Sequence, residues 1–363
     1  MKNKTRRREE KFGILKMATK PQICVIGSLN IDFVTYARRC PGPGETLTGS
    51  SLSIDAGGKG ANQAVACARA AFTSRTQQDV AVRMIGAVGA NDPYYPTLLQ
   101  PALEKSGVDT TGIEQRSDCQ TGSATIIVEE GEQGENRIVV VPGANHDGMN
   151  DVDKLLSVVQ TQCPAPPQVV VLQGEIPRST VIGLMQHYNK SENPTNVVLN
   201  IAPVYPDGIP LAALSGTAVL IMNETETIQM AESIPDFPVG SQTEADLQPE
   251  LLAPLFHQVA KIPIVLITLG AKGVFFSTAT GRNGSVRGVR VKNVVDTTAA
   301  GDTFVGYFSA EFARYAATGQ PLEDFDALIE PAVQQANQAA AMCVQRKGAI
   351  ESIPFAYEIT DRQ

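Results

Sequence analysis

Several short, continuously apolar runs constrain the fold most. Residues 22–27 (QICVIG), 82–88, 168–172, 196–200, 217–222 and 264–269 each carry apolar side chains without a polar alternation. A strand of that kind is buried on both faces, as in a parallel sheet. Helical patterns separate the runs, at 61–71, 178–188, 224–232, 250–261, 302–317 and 326–344. Strand and helix in turn predict an α/β fold: a doubly wound, mainly parallel sheet with helices on both faces.

Four other segments do not suit a buried centre. Residues 28–34, 45–54, 123–130 and 136–141 alternate polar and apolar side chains, the last two around a hairpin turn at 131–135. They predict a small separate sheet, formed from about 28–54 and 123–141, lying over one edge of the large one. Ile31, Phe33, Ile126 and Val128 are expected to form its apolar face, with a partner subunit as cover. Residues 78–79 and 235–243 read as inserted loops.

Charge divides the chain unevenly. Residues 1–20 hold eight Lys/Arg against two Glu, a balance of +6, so the whole-chain charge of −8 leaves −14 on the remainder. The head reads as a disordered basic extension, and 21–363 as the folded domain. So acidic a body argues against nucleic acid as a partner. No run of 18 apolar residues exists, so no membrane helix is expected. Six cysteines lie scattered without a CxxC pair, and three histidines lack metal-ligand spacing. They predict reduced thiols in a cytoplasmic protein, with the basic head also suiting a nucleus.

The strongest motif is Asp296-Thr297-Thr298-Ala299-Ala300-Gly301-Asp302-Thr303-Phe304. A strand at 291–295 is expected to run into a turn of small residues and then a helix. Free N–H groups at such a helix start attract an anion, and Ala299, Ala300 and Gly301 let a phosphate approach the backbone. An Asp302 alone would read as a first-turn acid; beside so bare a helix start it suits the base of a phosphoryl transfer. The chain has no GxxxxGK[ST] loop.

Other polar groups gather elsewhere. Gly57-Gly58-Lys59-Gly60-Ala61-Asn62-Gln63 places Lys59 and Asn62 beside a glycine turn, where they could bond hydroxyls or simply be solvated. Asn30 and Asp32 share one face of an extended segment, able to grip a polyol or to face water. Asn223-Glu224-Thr225-Glu226 follows a buried strand at the carboxyl edge, as a ligand site or a plain helix cap. Thr268-Leu269-Gly270-Ala271-Lys272-Gly273 could wrap a nucleotide or form a β-turn.

Together these segments resemble the ribokinase (PfkB) family of carbohydrate kinases over about residues 21–355, helped by Gly27-Ser28-Leu29-Asn30-Ile31-Asp32, Pro43-Gly44-Glu45-Thr46, Gly143-Ala144-Asn145 and Arg346-Lys347-Gly348-Ala349. The resemblance implies D-ribose held by Asn30, Asp32, Gly58, Lys59, Asn62 and Glu175. It implies ATP contacted by Asn223, Thr268, Gly270, Lys272, Gly273, Gly301 and Asn337, and Mg²⁺ served by Glu226 through water. Ala299, Ala300, Gly301 and Asp302 would form the anion hole, with Asp302 as base. A K⁺ ion would take Asp296, Ser352 and the carbonyls of Thr298, Cys343, Arg346 and Gly348. The small sheet would be a lid that also pairs in a homodimer. Gly174 before Glu175 and Asn200-Ile201-Ala202-Pro203 depart from the family pattern and bear on specificity.

The expected reaction is phosphorylation of the 5-hydroxyl of D-ribose by ATP. One rival is a kinase of another sugar or a nucleoside; Asn30, Asp32, Lys59 and Asn62 together favour ribose. A second is a sugar-binding regulator without catalysis, which would have no need of Asp302. A dinucleotide-binding oxidoreductase lacks its GxGxxG after the first strand.

Overall fold

A computed structural model describes residues 20–130, 136–190, 192, 195–235, 237–238 and 243–360. Residues 1–19 of the basic head, the turn at 131–135 and part of the 235–243 loop lie outside the described residues.

The large sheet has nine strands. Their spatial order is Asn283–Arg287, Gly273–Thr278, Ile264–Thr268, Val219–Asn223, Asn196–Asn200, Val169–Gln173, Gln22–Ile26, Ala81–Gly89 and Val108–Arg116. Seven run parallel; Gly273–Thr278 and Asn283–Arg287 form an antiparallel hairpin at one edge. The continuous apolar runs supply the centre, as expected. Alternate side chains enter opposite core layers: Ile23, Val25, Val169 and Val171 face one, and Cys24, Ile26, Val170 and Leu172 the other. Burying each such Val, Ile or Leu is worth about 1.5–3 kcal/mol before the chain entropy is counted.

The first layer is closed by the helices Lys59–Ala70, Ala300–Ala316 and Ile329–Cys343. The small residues of Lys59–Ala70 allow an unusually close approach: a Cβ at Gly306 would stand 2.3 Å from the Ala66 Cβ. This contact brings the glycine-rich turn and the Asp302 turn together. The second layer is closed by Val152–Gln162, Arg178–Tyr188 and Pro249–Ala260. No helix among the described residues is long and apolar enough to cross a membrane.

The lid is a separate four-stranded sheet, ordered Ser51–Gly57, Asn30–Ala37, Gly122–Glu129 and Asn136–Val141. Its central pair is parallel and its outer pairs antiparallel. The parallel register matches Phe33 with Thr125 and Val34 with Ile126. Ile31 and Phe33 therefore lie on one face and Ile126 and Val128 on the other, which corrects the expectation of one shared face. Ile31 is buried in the body, and Phe33 meets the Tyr94 ring edge-on at 5.7 Å. The exposed apolar residues are instead Leu52 and the edge run Ile138, Val139, Val140 and Val141.

The structure differs at two further places. Residues 291–295 form no strand; an extended connection leads from the Asn283–Arg287 edge strand to the Asp302 turn, with Val294 and Val295 exposed. The edge strands Val108–Arg116 and Asn283–Arg287 lie outside the expected runs because their polar residues carry no buried-strand signature, whereas Gly273–Thr278 between them is short but buried throughout.

Candidate active site

The helix Ala300–Ala316 begins without a side-chain cap, and its N-cap Ala299 adopts φ 60°, ψ 8°. A left-handed non-glycine residue costs about 1 kcal/mol or more and turns the chain sharply. The amides of Gly301 and Asp302 find no acceptor among the described residues. A Cβ at Gly301 would meet nothing within 4 Å, so the helix start is open to an anion.

Asp302 is buried, with 6 % of its surface exposed. Asn62 Nδ2 donates to its Oδ2 at 2.9 Å, and Gln63 Nε2 to its Oδ1 at 2.9 Å. Both amides come from the helix that opens at Gly58, whose φ of 89° suits glycine and whose Cβ would stand 2.8 Å from the Asn30 amide nitrogen. Asn62 Oδ1 is buried without a partner among the described residues, an acceptor left for an incoming hydroxyl.

Glu175 ends the turn after Val169–Gln173. Its Oε2 accepts from Ser28 Oγ at 2.5 Å and from the Lys59 amide at 2.8 Å. Gly174 belongs here because a Cβ would stand 2.0 Å from the Pro203 carbonyl. The Lys59 ammonium is held above its ordinary pKa by the Asp302 carboxylate first, then by Glu175 and Glu226. Asp32 is pushed up to about 7, by burial first and then by Glu175, Asp55 and Asp302. Asn30 is buried, and its Oδ1 accepts from Asn145 Nδ2 at 2.7 Å. The expected sugar residues thus converge between lid and body. Sequence reasoning assigns no role in the site to Asn145, Gln63, Gln173 or Asn200, yet Asn145 supports Asn30, Gln63 supports Asp302, and Gln173 and Asn200 hold Gln63. The only available signal was Gln63 following Asn62 at the buried helix start.

On the other side of the Asp302 turn lies a cleft of about 290 Å³. Thr268, Gly270, Gly273, Gly301 and Asn337 line it, as expected of a nucleotide site, together with the unforeseen Val289, Val291 and Val294. Apolar walls with few polar groups suit a purine ring. Lys272 is exposed, and neither it nor Asn223 lines this cleft. Asn223 caps its helix reciprocally with Glu226: the Glu226 amide donates to Asn223 Oδ1 and the Asn223 amide to Glu226 Oε2, both at 2.8 Å. Burial raises the Glu226 pKa, offset by the Asn223 amide and by Lys59.

Asp296 ties two segments together. Its Oδ1 accepts from the Thr298 amide at 2.9 Å and its Oδ2 from the Gly348 amide at 3.0 Å. Cys343 Sγ lies 3.5 Å from the Thr298 carbonyl and 3.0 Å from Ser352 Oγ. Asp296 pairs with neither Arg346 nor Lys347: Arg346 binds Glu358 at 2.8 Å, and Lys347 Nζ lies 4.4 Å from the Tyr36 ring centroid. No cluster of three or more His, Cys, Asp or Glu residues fit to hold a metal occurs among the described residues.

A buried carboxylate beside an open helix start, between a polar pocket and an apolar cleft, defines the site of a phosphotransferase. The model of the pfkB family of carbohydrate kinases matches residues 20–356, and the chain belongs to that family. It is 36% identical over 339 residues to a ribokinase of Schizosaccharomyces pombe, covering 93% of this chain and 96% of the relative. Among solved structures, the ribokinase of Giardia lamblia superposes with a TM-score of 0.79 at 28% identity, covering 94% of this chain and 100% of that one. The Arabidopsis thaliana ribokinase complexed with ribose and ATP superposes with a TM-score of 0.73 at 27% identity, covering 94% and 98%.

Proposed function

We propose that this chain transfers the γ-phosphoryl group of ATP to the 5-hydroxyl of D-ribose, giving D-ribose 5-phosphate and ADP. The carrying observation is Asp302, pinned by Asn62 and Gln63 beside the open Gly301 and Asp302 amides. Ribose lies between Asn30, Asp32, Lys59, Asn62 and Glu175, with its 5-hydroxyl at Asp302. ATP lies in the cleft of Thr268, Gly270, Gly273 and Asn337. As the hydroxyl oxygen bonds to phosphorus, the bond to the ADP oxygen breaks and Asp302 takes the hydroxyl proton. The Ala299–Asp302 turn holds the charge that develops on the phosphoryl oxygens.

Mg²⁺ suits the Glu226 side, where a single carboxylate fits an ion carried in on phosphates and reached through water, rather than one held by protein ligands alone. It would neutralise phosphate charge. K⁺ suits the turn where Asp296, Ser352 and the Thr298, Cys343, Arg346 and Gly348 carbonyls meet, and the Asp296 bonds to the Thr298 and Gly348 amides support that convergence. A homodimer through the lid is supported by the exposed Leu52 and Ile138–Val141 side chains. The cytoplasmic location, and the nuclear one that the basic head suits, belong to the same proposal.

An ATP-consumption assay over D-ribose, 2-deoxyribose, other pentoses, hexoses and nucleosides tests the reading. D-ribose is expected to give the highest kcat/KM, and a hexose or nucleoside preferred ten-fold over ribose overturns it.

A further inference from the structure

Gln63 is fully buried and uses its whole amide. Its Nε2 donates one hydrogen to Asp302 Oδ1 and the other to Asn200 Oδ1, both at 2.9 Å, and its Oε1 accepts from Gln173 Nε2 at 2.8 Å. The direction of these bonds is not free. Asn200 Nδ2 donates to the backbone carbonyl of Ile221 at 3.1 Å, so its Oδ1 must face Gln63. That turns the Gln63 NH₂ group toward Asp302 and leaves its oxygen for Gln173. Gln173 and Asn200 are register partners at the carboxyl ends of adjacent parallel strands, among the most constrained backbone in the molecule. Gln173 Oε1 fills the place a Cβ on residue 27 would occupy, 1.9 Å away, so Gly27 admits it.

We propose that Gln63 is a positioning residue for catalysis, which transmits the rigidity of the two strand ends to the Asp302 carboxylate. It rests on the reading of Asp302 as the base. Asp302 sits on the first turn of a helix whose cap is conformationally strained, and Asn62 alone would leave the carboxylate free to swing about one bond. The Gln63 donor fixes the second oxygen. Hydrogen bonds to an ionised acceptor are the stronger ones, so loss of this donor weakens the hold on the charged carboxylate. Gln63 has no role in holding sugar or nucleotide, so its loss falls on turnover.

The test compares Gln63→Met, which keeps length and loses the donor, with Gln63→Glu, which places a second acid beside Asp302, and with Gln173→Met, which removes the anchor. In Gln63→Met kcat is expected to fall about 10–100-fold, as for a catalytic group misplaced by around an ångström, with both KM values within about three-fold. The acid limb of the kcat–pH profile should move upward in Gln63→Met, and by about 1 pH unit or more in Gln63→Glu, where a like charge adjoins the base. Gln173→Met should move kcat in the same direction by less. A purely structural role would lower the melting temperature and scale kcat equally at every pH. An unmoved acid limb in both Gln63 variants therefore overturns the proposal, as does wild-type kcat in Gln63→Met. If the limb persists in Asp302→Asn, the reading of the base fails instead, and the two failures are told apart.

Discussion

Asn62 Nδ2 meets Asp302 Oδ2 at 2.9 Å, joining two segments 240 residues apart. The bond holds the glycine-rich turn and the Asp302 turn together, so a hydroxyl bound near Asn62 would lie next to the carboxylate proposed as the base. Asp302→Asn keeps the shape and removes the basic oxygen. Its kcat should fall by ~10²–10⁴-fold, the usual worth of general acid–base catalysis, with ribose KM changed far less. Steady-state kinetics decide it: a variant that keeps more than a tenth of wild-type kcat has another base.

Asp32 should make ribose binding pH-dependent. Burial, with Glu175, Asp55 and Asp302 nearby, lifts its pKa to about 7. Below that value the free protein carries a protonated Asp32, a poorer acceptor for sugar hydroxyls, so ribose KM should fall as pH rises from 6 to 8. Asp32→Ala should raise ribose KM roughly ten-fold or more, since a buried charged hydrogen bond is worth about 1.5–3 kcal/mol, and leave the ATP KM near wild type. The sign for stability is opposite. Between the unfolded carboxylate range and about 7 the native state binds the extra proton, so the apo-protein loses stability as pH rises through that window. Asp32→Asn should therefore melt higher than wild type at pH 8 while binding ribose worse. Equal ribose KM at pH 6 and pH 8, with no change in Asp32→Ala, removes Asp32 from the pocket.

The parts of this molecule that sequence made legible are those whose physics is local. Continuous runs such as Val169–Gln173 announce burial on both faces, and Ala299-Ala300-Gly301 announces an open helix start. What escaped was long-range. Nothing near Gln63 in the chain indicates Gln173 or Asn200, which meet it only because neighbouring strands end in register. The lid faces were misassigned because alternation fixes sidedness within a strand, while the offset between strands comes from their pairing, here Asn30 with Gly122. The valines at 291–295 read as a strand by composition, yet the segment forms no strand, and Val291 and Val294 line a cleft instead.

The lid edge should associate. Ile138, Val139, Val140 and Val141 are each about half to two-thirds exposed, on an edge strand whose two faces are both apolar. Such an edge left open invites pairing with another copy. Sedimentation at micromolar protein should give a mass about twice 38.6 kDa. Val139→Lys with Val141→Lys, placing charge on that edge, should shift the protein toward monomer. A wild-type monomer with full activity would count against association through the lid.

Monovalent cations should raise turnover through Asp296. This residue does not touch the sugar residues; it holds the Thr298 amide at 2.9 Å on one side and the Gly348 amide at 3.0 Å on the other, so it clamps the turn that opens the anion hole. Its charge lies only six residues before Asp302. Two carboxylates near a bound triphosphate repel it unless a cation offsets one of them. A hard cation takes oxygen ligands, and carbonyls from Thr298 and Gly348 with the Ser352 hydroxyl lie on the segments that Asp296 joins. Arg346 and Lys347 do not supply the missing charge, since one is paired with Glu358 and the other stacks on Tyr36. Replacing K⁺ by Na⁺ or by a bulky organic cation should therefore lower kcat several-fold, with little change in ribose KM, because the effect is on the order of the turn rather than on the sugar. Asp296→Asn removes the charge, keeps an acceptor for only one of the two amides and sets its NH₂ against the other, and it should lose most of the K⁺ response. Rates measured at fixed Mg²⁺ and ionic strength decide between the cases: equal turnover in K⁺ and in tetramethylammonium takes the monovalent cation out of the mechanism and leaves Asp296 as a clamp alone.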